Sequence, residues 1–368
     1  MYLKKLTLLN FKNHTEKTWE FCRQINCISG ENGVGKTNVL DAIHYLSTCK
    51  SYFNQVDSQN IFYEEAYMSI KGVFEKEQNM EVQCYLKRGQ KKVVKKNESE
   101  YERLSDHIGE IPLIIITPVD IYLINEGSEE RRKFINLVIS QFSRDYLEAV
   151  MRYNKILAQR NEQLKLFAEV GYFDKSLLEA MDAQMIPLGE QIHQARKSFF
   201  EEFSPLFQQY YSQLTGGKEE VAMTYDSQLN NSDFTTLLVE NIEKDRGLQR
   251  STQGIHKDDF VFEMNGHSVK KYASQGQIKS YLIAMKLAKF NYLKNKTGKM
   301  PLLLLDDIFE KIDENRAKNL MALLTEDDFG QIFITDTHAE RLKEVLSGLA
   351  AEKKFINIEK ENLETLSL

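Results

Sequence analysis

Residues 1 to 30 alternate between apolar and polar positions in the manner of half-buried strands: Leu3, Leu6 and Leu8, then Trp19, Phe21 and Ile25. Ile25, Cys27 and Ile28 form a strand that runs into a polar, glycine-rich stretch, GENGVGKT, at 30–37. Within Asn38 to Ser47 (NVLDAIHYLS) the period changes, and Val39, Leu40, Ile43 and Leu46 fall on one helical face. Ser69 to Phe74 and Glu81 to Leu86 read as antiparallel strands, with Lys87 to Gln90 as a turn and Lys91 to Lys96 as the next strand. Ile111 to Thr117 (IPLIIIT) is a continuous apolar run, the pattern of a buried strand, and Pro118 and Asp120 open a helical stretch after it.

From Arg144 the spacing becomes heptad-like. Leu147, Val150, Asn154, Leu157, Asn161 and Leu164 alternate steps of three and four, a seam with two polar positions. Glu169 to Asp174, containing Gly171, breaks it. The seam resumes as Leu178, Met181, Met185, Leu188, Ile192, Ala195 and Phe199, with Pro187 and Pro205 expected to kink or segment the second helix. The prediction is an antiparallel helical arm whose first helix, of about 25 residues, reaches roughly 35 to 40 Å. Glu220 to Tyr225 follows as a strand and Leu229 to Arg246 mostly as helix. Gly254 to Asp259 (GIHKDD) is a polar loop, and Phe260 to Met264 pairs with His267 to Val269 around Asn265-Gly266. Two more buried strands close the pattern: PLLLLDD at 301–307 and QIFIT at 331–335.

The chemistry sits where these strands end. GENGVGKT satisfies G-x-x-x-x-G-K-[ST] through Gly30, Gly35, Lys36 and Thr37, and it lies between a strand and a helix as the phosphate-binding loop requires. Gly30, Glu31, Asn32, Gly33, Val34, Gly35, Lys36 and Thr37 are the expected cradle: backbone N–H groups around the phosphates, Lys36 on the outer two, Thr37 on Mg²⁺. An apolar strand ending in Asp306-Asp307 is the form of a Walker B segment, with Asp306 holding Mg²⁺ and Asp307 polarising the attacking water. Ser274, Gly276 and Gln277, at the start of the helix Ile278 to Phe290, read either as a second anion site or as a plain helix cap. His338, just beyond the last strand, is either a sensor of the terminal phosphate or a structural histidine.

Composition adds limits. A chain of 368 residues, 42% hydrophobic and 28% charged, exceeds one comfortable core, so two lobes are expected. No apolar run approaches the ~18 residues of a membrane span and the start lacks a secretory signature, so a cytoplasmic protein is expected. Cys22, Cys27, Cys49 and Cys84 form no C-x-x-C pair, which argues against metal ligation and a disulfide framework. The formal charge of −6 hides a local cluster, KRGQKKVVKK at 87–96, with six cations and no acid. It is either a solvated edge strand guarded by lysines or a phosphate-contacting patch, with Arg131, Arg132 and Lys133 behind it.

In this order, phosphate loop, helical arm, Ser-Gln-Gly-Gln, Asp-Asp and terminal His, the chain resembles the ABC-type ATPases of the SMC family, and within it the RecF family of bacterial recombination and gap-repair proteins. The likeness includes MYLKKLTLLNFKNH at the start, ITPVDIYLINEGSEERRKFINLVISQ at 116–141, YNKILAQRNEQLK at 153–165, GIHKDDF at 254–260, ASQGQIKSYLIAMKLA at 273–288 and PLLLLDDIFEKID at 301–313. It implies an α/β ABC-type ATPase head of mixed or parallel sheet with helices, interrupted by an inserted helical arm: residues 1–143 and 217–368 in the ATPase lobe, 144–216 in the arm. It also implies ATP and Mg²⁺ as ligands, Gln141 as the Q-loop residue beside the metal, a homodimer formed in ATP with Ser274 and Gly276 acting on the nucleotide of the other copy, and slow hydrolysis. Double-stranded DNA at gaps and single-strand junctions, RecR, RecO and RecA are the partners implied. An SMC-like structural organiser of DNA or another ABC-type ATPase is the alternative reading.

Overall fold

A computed structural model describes residues 1–54, 56–76, 79–309, 313–326, 329–348 and 350–359, which fall into two compact units. The first comprises residues 1–120, 213–216 and 279–368, the second 121–212 and 217–278.

The first unit is built on a parallel sheet of five strands in the order Lys353–Asn357, Ile25–Ser29, Ile332–Asp336, Leu302–Leu305, Leu113–Ile116. Every residue of the last four is buried, which is why Leu113–Ile116 and Leu302–Leu305 are uninterrupted apolar runs and the other two do not alternate apolar with charged positions. Because the strands are parallel, Gly30, Asp306 and Thr337 all leave the sheet at its carboxyl edge, where open α/β sheets bind ligands. A second sheet of six strands runs His14–Glu20, Tyr2–Phe11, Tyr67–Glu75, Met80–Lys87, Val93–Lys96, Ser99–Glu100, all antiparallel. Its strands alternate buried and exposed positions, as one-sided sheets do.

The helix Lys36–Thr48 shares one apolar cluster with both sheets, through Val39, Leu40, Ile43 and Leu46 against Leu3, Ile70, Val82, Leu302 and Phe333. Buried polar groups fix how the sheets meet. Gln331 accepts from the Leu3 N–H at 2.7 Å and donates to the carbonyls of Leu3 and Cys22, both at 2.8 Å. Lys286, on the helix Gln275–Thr297, donates to Asp120 at 2.7 Å and to the Ile115 carbonyl at 2.9 Å, while Tyr52 donates to the same carboxylate.

The second unit holds the helices Arg144–Val170 and most of Lys175–Thr215, and a small sheet of Val221–Asp226, Asp259–Met264 and His267–Ser268. It is wider than the arm expected at 144–216. The helix Ser128–Ser140 joins it because Arg131 pairs with Asp259 at 2.8 Å and Arg132 donates to the Asp258 carbonyl at 2.6 Å, contacts that span more than a hundred positions and leave no trace in composition. The helix Lys175–Thr215 continues through Pro187 and Pro205 without being segmented. The expected seam of the second arm helix is buried at Leu178, Met185, Leu188, Ile192 and Phe199. On the first helix it is displaced: the buried line runs Tyr146, Ala149, Val150, Tyr153, Ile156, Arg160, Leu164 and Phe167, and Asn154 is exposed. Hydropathy cannot nominate Arg160 as a core residue. It is one because Asp182 at 2.6 Å, Asp245 at 2.6 Å and Ser251 at 2.9 Å satisfy its guanidinium. The stretch 229–246, expected to be mostly helix, is so in two short pieces, Phe234–Glu240 and Ile242–Leu248, the first capped by Asp233 accepting from the Thr236 N–H. The Asn265-Gly266 hairpin is present, with φ of +50° and +74° at its two turn residues, but its second strand stops at Ser268 and Val269 begins a short helix.

Candidate nucleotide-binding site

The loop after strand Ile25–Ser29 is shaped by three glycines at positive φ: Gly30 at +154°, Gly33 at +84° and Gly35 at +106°. It delivers the chain into helix Lys36–Thr48, whose first turn carries no acid and no side-chain cap. The N–H groups at that end are therefore left to an anion, with the helix dipole in its favour. Lys36 is nearly buried and its ammonium donates back to the Gly30 and Glu31 carbonyls at 2.8 and 2.9 Å, so the loop holds its cation over its own mouth. The residues present thus fit a phosphate chain. They are braced from the first strand pair: His14 donates to the Gly35 carbonyl at 3.2 Å, Asn13 donates to that of Gly33 at 3.3 Å, and Asn38 donates to Asn13 at 2.7 Å.

Thr37 projects from the first turn of the helix and donates to both oxygens of Asp306, at 3.0 and 3.1 Å. Thr335, at the end of the neighbouring strand, donates to the same carboxylate at 2.7 Å. Burial pushes the Asp306 carboxyl up to about 6, against the lowering effect of these two hydroxyls. A hydroxyl and a buried carboxylate are hard oxygen donors of the kind Mg²⁺ takes, and a dication there would restore the ionised form. The Asp307 N–H donates to the Thr335 hydroxyl at 3.0 Å and its backbone is left-handed, at φ +43°, which turns the chain sharply after the strand.

Beyond the strand Ile332–Asp336, His338 stands at the N-cap position of the helix Ala339–Leu346 with its side chain exposed and not engaged in the cap, and its backbone N–H donates to Asp336 at 2.8 Å. Asn32, Asp307, Thr337, His338 and Arg341 line a cleft of about 260 Å³. His338 therefore shares a cleft with the phosphate loop and with Asp307. In the second unit, Ser274 and Gln277 form a reciprocal cap: the Ser274 N–H donates to the Gln277 amide oxygen at 2.7 Å, and the Gln277 N–H to the Ser274 hydroxyl at 3.3 Å. The helix starts at Gln275, inside the Ser-Gln-Gly-Gln run, and Ser274 remains exposed. Gln141 ends the helix Ser128–Ser140; its side chain is buried and donates to the Leu137 carbonyl at 3.3 Å.

The basic hairpin divides into two kinds of cation. Arg88 donates to the carbonyls of Glu65, Ser58, Phe62 and Tyr63, clasping the preceding loop. Lys92 pairs with Asp57 at 2.7 Å and reaches Tyr45, and Lys96 pairs with Glu110. Lys87, Lys91 and Lys95 are exposed. Of the three cations expected to join it, Arg131 and Arg132 are bonded within the second unit, and Lys133 pairs with Glu129 and Glu130 on its own helix. The sequence reading missed Asn13, His14, Thr335, Asp336 and Arg341. No residue pattern announces them, since each earns its place by what lies opposite it.

Comparison with known proteins follows the same lines. The chain matches the family described as RecF/RecN/SMC N terminal domain over residues 2–357. It is 47% identical over 359 residues to the DNA replication and repair protein RecF of Flavobacterium johnsoniae, covering 97% of this chain and 100% of that one. To the protein of the same name from Phocaeicola vulgatus it is 45% identical over 362 residues, 98% of this chain and 97% of the other. A solved structure of the recombination mediator protein RecF-ATPrS in the RecFOR pathway superposes with a TM-score of 0.86 at 27% identity, over 98% of each chain. The Smc head domain of Pyrococcus furiosus, with a TM-score of 0.57 at 18% identity over 98% of this chain and 94% of the other, shares the fold. The chain belongs to the RecF/RecN/SMC family of ABC-type ATPase heads, in its RecF branch.

Proposed function

We propose that this protein is an ATP-dependent DNA-binding switch of recombinational repair and replication restart, working in the cytoplasm as a dimer formed in ATP. The observation that carries the reading is the meeting of Thr37 and Asp306, 269 positions apart in sequence, at hydrogen-bond distance beside a phosphate loop. Relatives named for DNA replication and repair, and a solved RecF-ATP structure, support it.

On this reading the loop N–H groups and Lys36 bind the phosphates, and Thr37 and Asp306 hold Mg²⁺, which supplies charge neutralisation at the transferred phosphoryl group. Asp307 orients the attacking water and His338 faces the terminal phosphate. Ser274, Gly276 and Gln277 serve nucleotide held by another copy: the exposed Ser274 hydroxyl and the helix start behind it suit an anion brought from outside. A metal role for Gln141 requires its amide to leave the Leu137 carbonyl. Asp307 is a shorter acid than glutamate, which suits slow, DNA-stimulated hydrolysis that times release rather than drives turnover. Lys87, Lys91 and Lys95 contact the DNA backbone at gaps and junctions without reading bases, and the outcome is loading of RecA on coated single strands with RecR and RecO.

Sedimentation tests the core of this reading. The wild type is expected to sediment as a dimer in ATP and Mg²⁺ and as a monomer in ADP or without nucleotide, and Lys36→Ala and Ser274→Arg to stay monomeric, each with and without gapped duplex. A wild type that stays monomeric in saturating ATP, with gapped duplex present, overturns it.

A further inference from the structure

Arg341 stands one helical turn into Ala339–Leu346, with its guanidinium on the rim of the cleft lined by Asn32, Asp307, Thr337 and His338. Its Nε and one terminal nitrogen donate to the same oxygen of Asp336, at 2.8 and 2.6 Å. Asp336 is fully buried and its other oxygen accepts from the His338 N–H at 2.8 Å. The carboxylate therefore locks the plane of the guanidinium from one side. The side chain is 35% exposed, and among the described residues no carboxylate faces its other terminal nitrogen, so a donor edge is left toward the cleft. A planar cation oriented by a buried acid is suited to a phosphate, which it can meet with two parallel N–H bonds.

The charge pattern of the cleft says which phosphate. Among the described residues, Asp307 is the one acid that lines it, and Lys36 is not part of its lining. An anion placed beside the Asp307 carboxylate meets repulsion that the loop lysine, bonded to the Gly30 and Glu31 carbonyls, does not offset from within the cleft. His338 and Arg341 are the groups there that can. Asn32, in the middle of the phosphate loop, joins the cleft to the nucleotide cradle, so a group in it is continuous with the outer end of a bound phosphate chain.

We propose that Arg341 contacts the terminal phosphate of a bound nucleoside triphosphate and lets this site distinguish the triphosphate from the diphosphate, with Asp336 as the residue that positions it. The proposal rests on the reading of the loop as an ATP site. Arg341 then acts as a specificity residue: it adds affinity only when the third phosphate is present, and loses that phosphate's charge when hydrolysis is complete.

Equilibrium binding of a non-hydrolysable ATP analogue and of ADP, with Mg²⁺, separates the possibilities, with thermal stability measured alongside. Arg341→Gln is expected to weaken the triphosphate roughly 10-fold or more, the worth of one charge-assisted contact, and to leave ADP within about 2-fold. Arg341→Lys recovers part of the preference. Asp336→Asn keeps an acceptor for the His338 N–H but loosens the hold on the guanidinium, so the triphosphate preference falls in part while ADP binding stays within about 2-fold. If Arg341 only braced the turn, Asp336→Asn and Arg341→Gln would lower stability and both affinities together, and that result overturns the proposal. Unchanged affinities in Arg341→Gln overturn it equally. A wild type that binds neither nucleotide, or a Lys36→Ala variant that binds both normally, defeats the ATP-site reading instead and Arg341 with it.

Discussion

Gly33 and Gly35 separate two reasons for glycine in the loop. Alanine at Gly33 would have open space around its Cβ but would hold φ +84°, so it pays in backbone strain alone, about 1 to 2 kcal/mol. Gly33 is exposed, and without ligand the loop tip can relax, so that strain is felt on binding: nucleotide affinity falls roughly 5- to 30-fold with little change in Tm. At Gly35 the backbone sits at φ +106°, and a Cβ would lie 2.5 Å from His14 Nε2 and 2.6 Å from Asn13 Oδ1. Neither neighbour can yield cheaply. His14 is buried, packs edge-on against Trp19 with ring centroids 5.3 Å apart and bonds the Gly35 carbonyl; Asn13 is held by Asn38. Strain and collision together reach about 3 kcal/mol or more. Because Gly35 is buried at the helix N-terminus, this loss divides between folding and binding, so Gly35→Ala lowers Tm as well as affinity. Titration calorimetry with Mg²⁺ and a non-hydrolysable ATP analogue, paired with thermal melts, reads both. Equal losses in the two variants, or a Gly35→Ala that melts and binds as the wild type does, would refute the assignment of His14 and Asn13 as the wall behind the loop.

Arg160→Met leaves Asp182 and Asp245 without their shared cation in the second unit, and a loss of roughly 3 to 5 kcal/mol in denaturant unfolding is expected. A loss under about 1 kcal/mol would show that water reaches the carboxylates. His44 is held neutral by burial, down to about 4 against an ordinary 6.5, so protons enter the unfolded state first. Its share of stability is whole above pH 6.5 and lost as pH falls toward 4, about 2 kcal/mol by pH 5; the pH profile of His44→Gln should be flatter by that amount over this window, and parallel profiles would contradict it. Replacing Lys87, Lys91 and Lys95 with alanine is expected to lower the salt slope of duplex binding by roughly 0.9 per contact, for all sequences alike. Lys92→Ala should instead reduce stability, since Lys92 is the partner of Asp57, and an unchanged slope in the triple variant removes the hairpin from the DNA face.

The candidate nucleotide site was legible as a motif because its parts are local and their spacing is fixed by chemistry. A phosphate loop needs its glycines and lysine within eight positions, and a buried parallel strand that ends in acids cannot hide four leucines followed by Asp306 and Asp307. The arm helices were legible as helices, but their buried face was not. Periodicity chose Asn154 and Asn161 over Tyr153 and Arg160 because it counts an arginine as polar wherever it stands. Likewise the hairpin showed six cations as equals, while Arg88 and Lys92 were already committed to the chain's own carbonyls and to Asp57.

The sequence alone thus determined the succession of strands, the phosphate loop with its paired carboxylates, and the membership that follows from their order, since each is written in neighbouring residues. Tertiary structure alone decided that Thr37, Thr335 and Asp306 converge, that His14 and Asn13 wall the loop, that Arg160 belongs to a core and that Asp336 aims Arg341. The physical reason is common to all four. A hydrogen bond or ion pair depends on a few ångströms of separation and on exclusion from water, and the fold sets both between residues that may stand hundreds of positions apart.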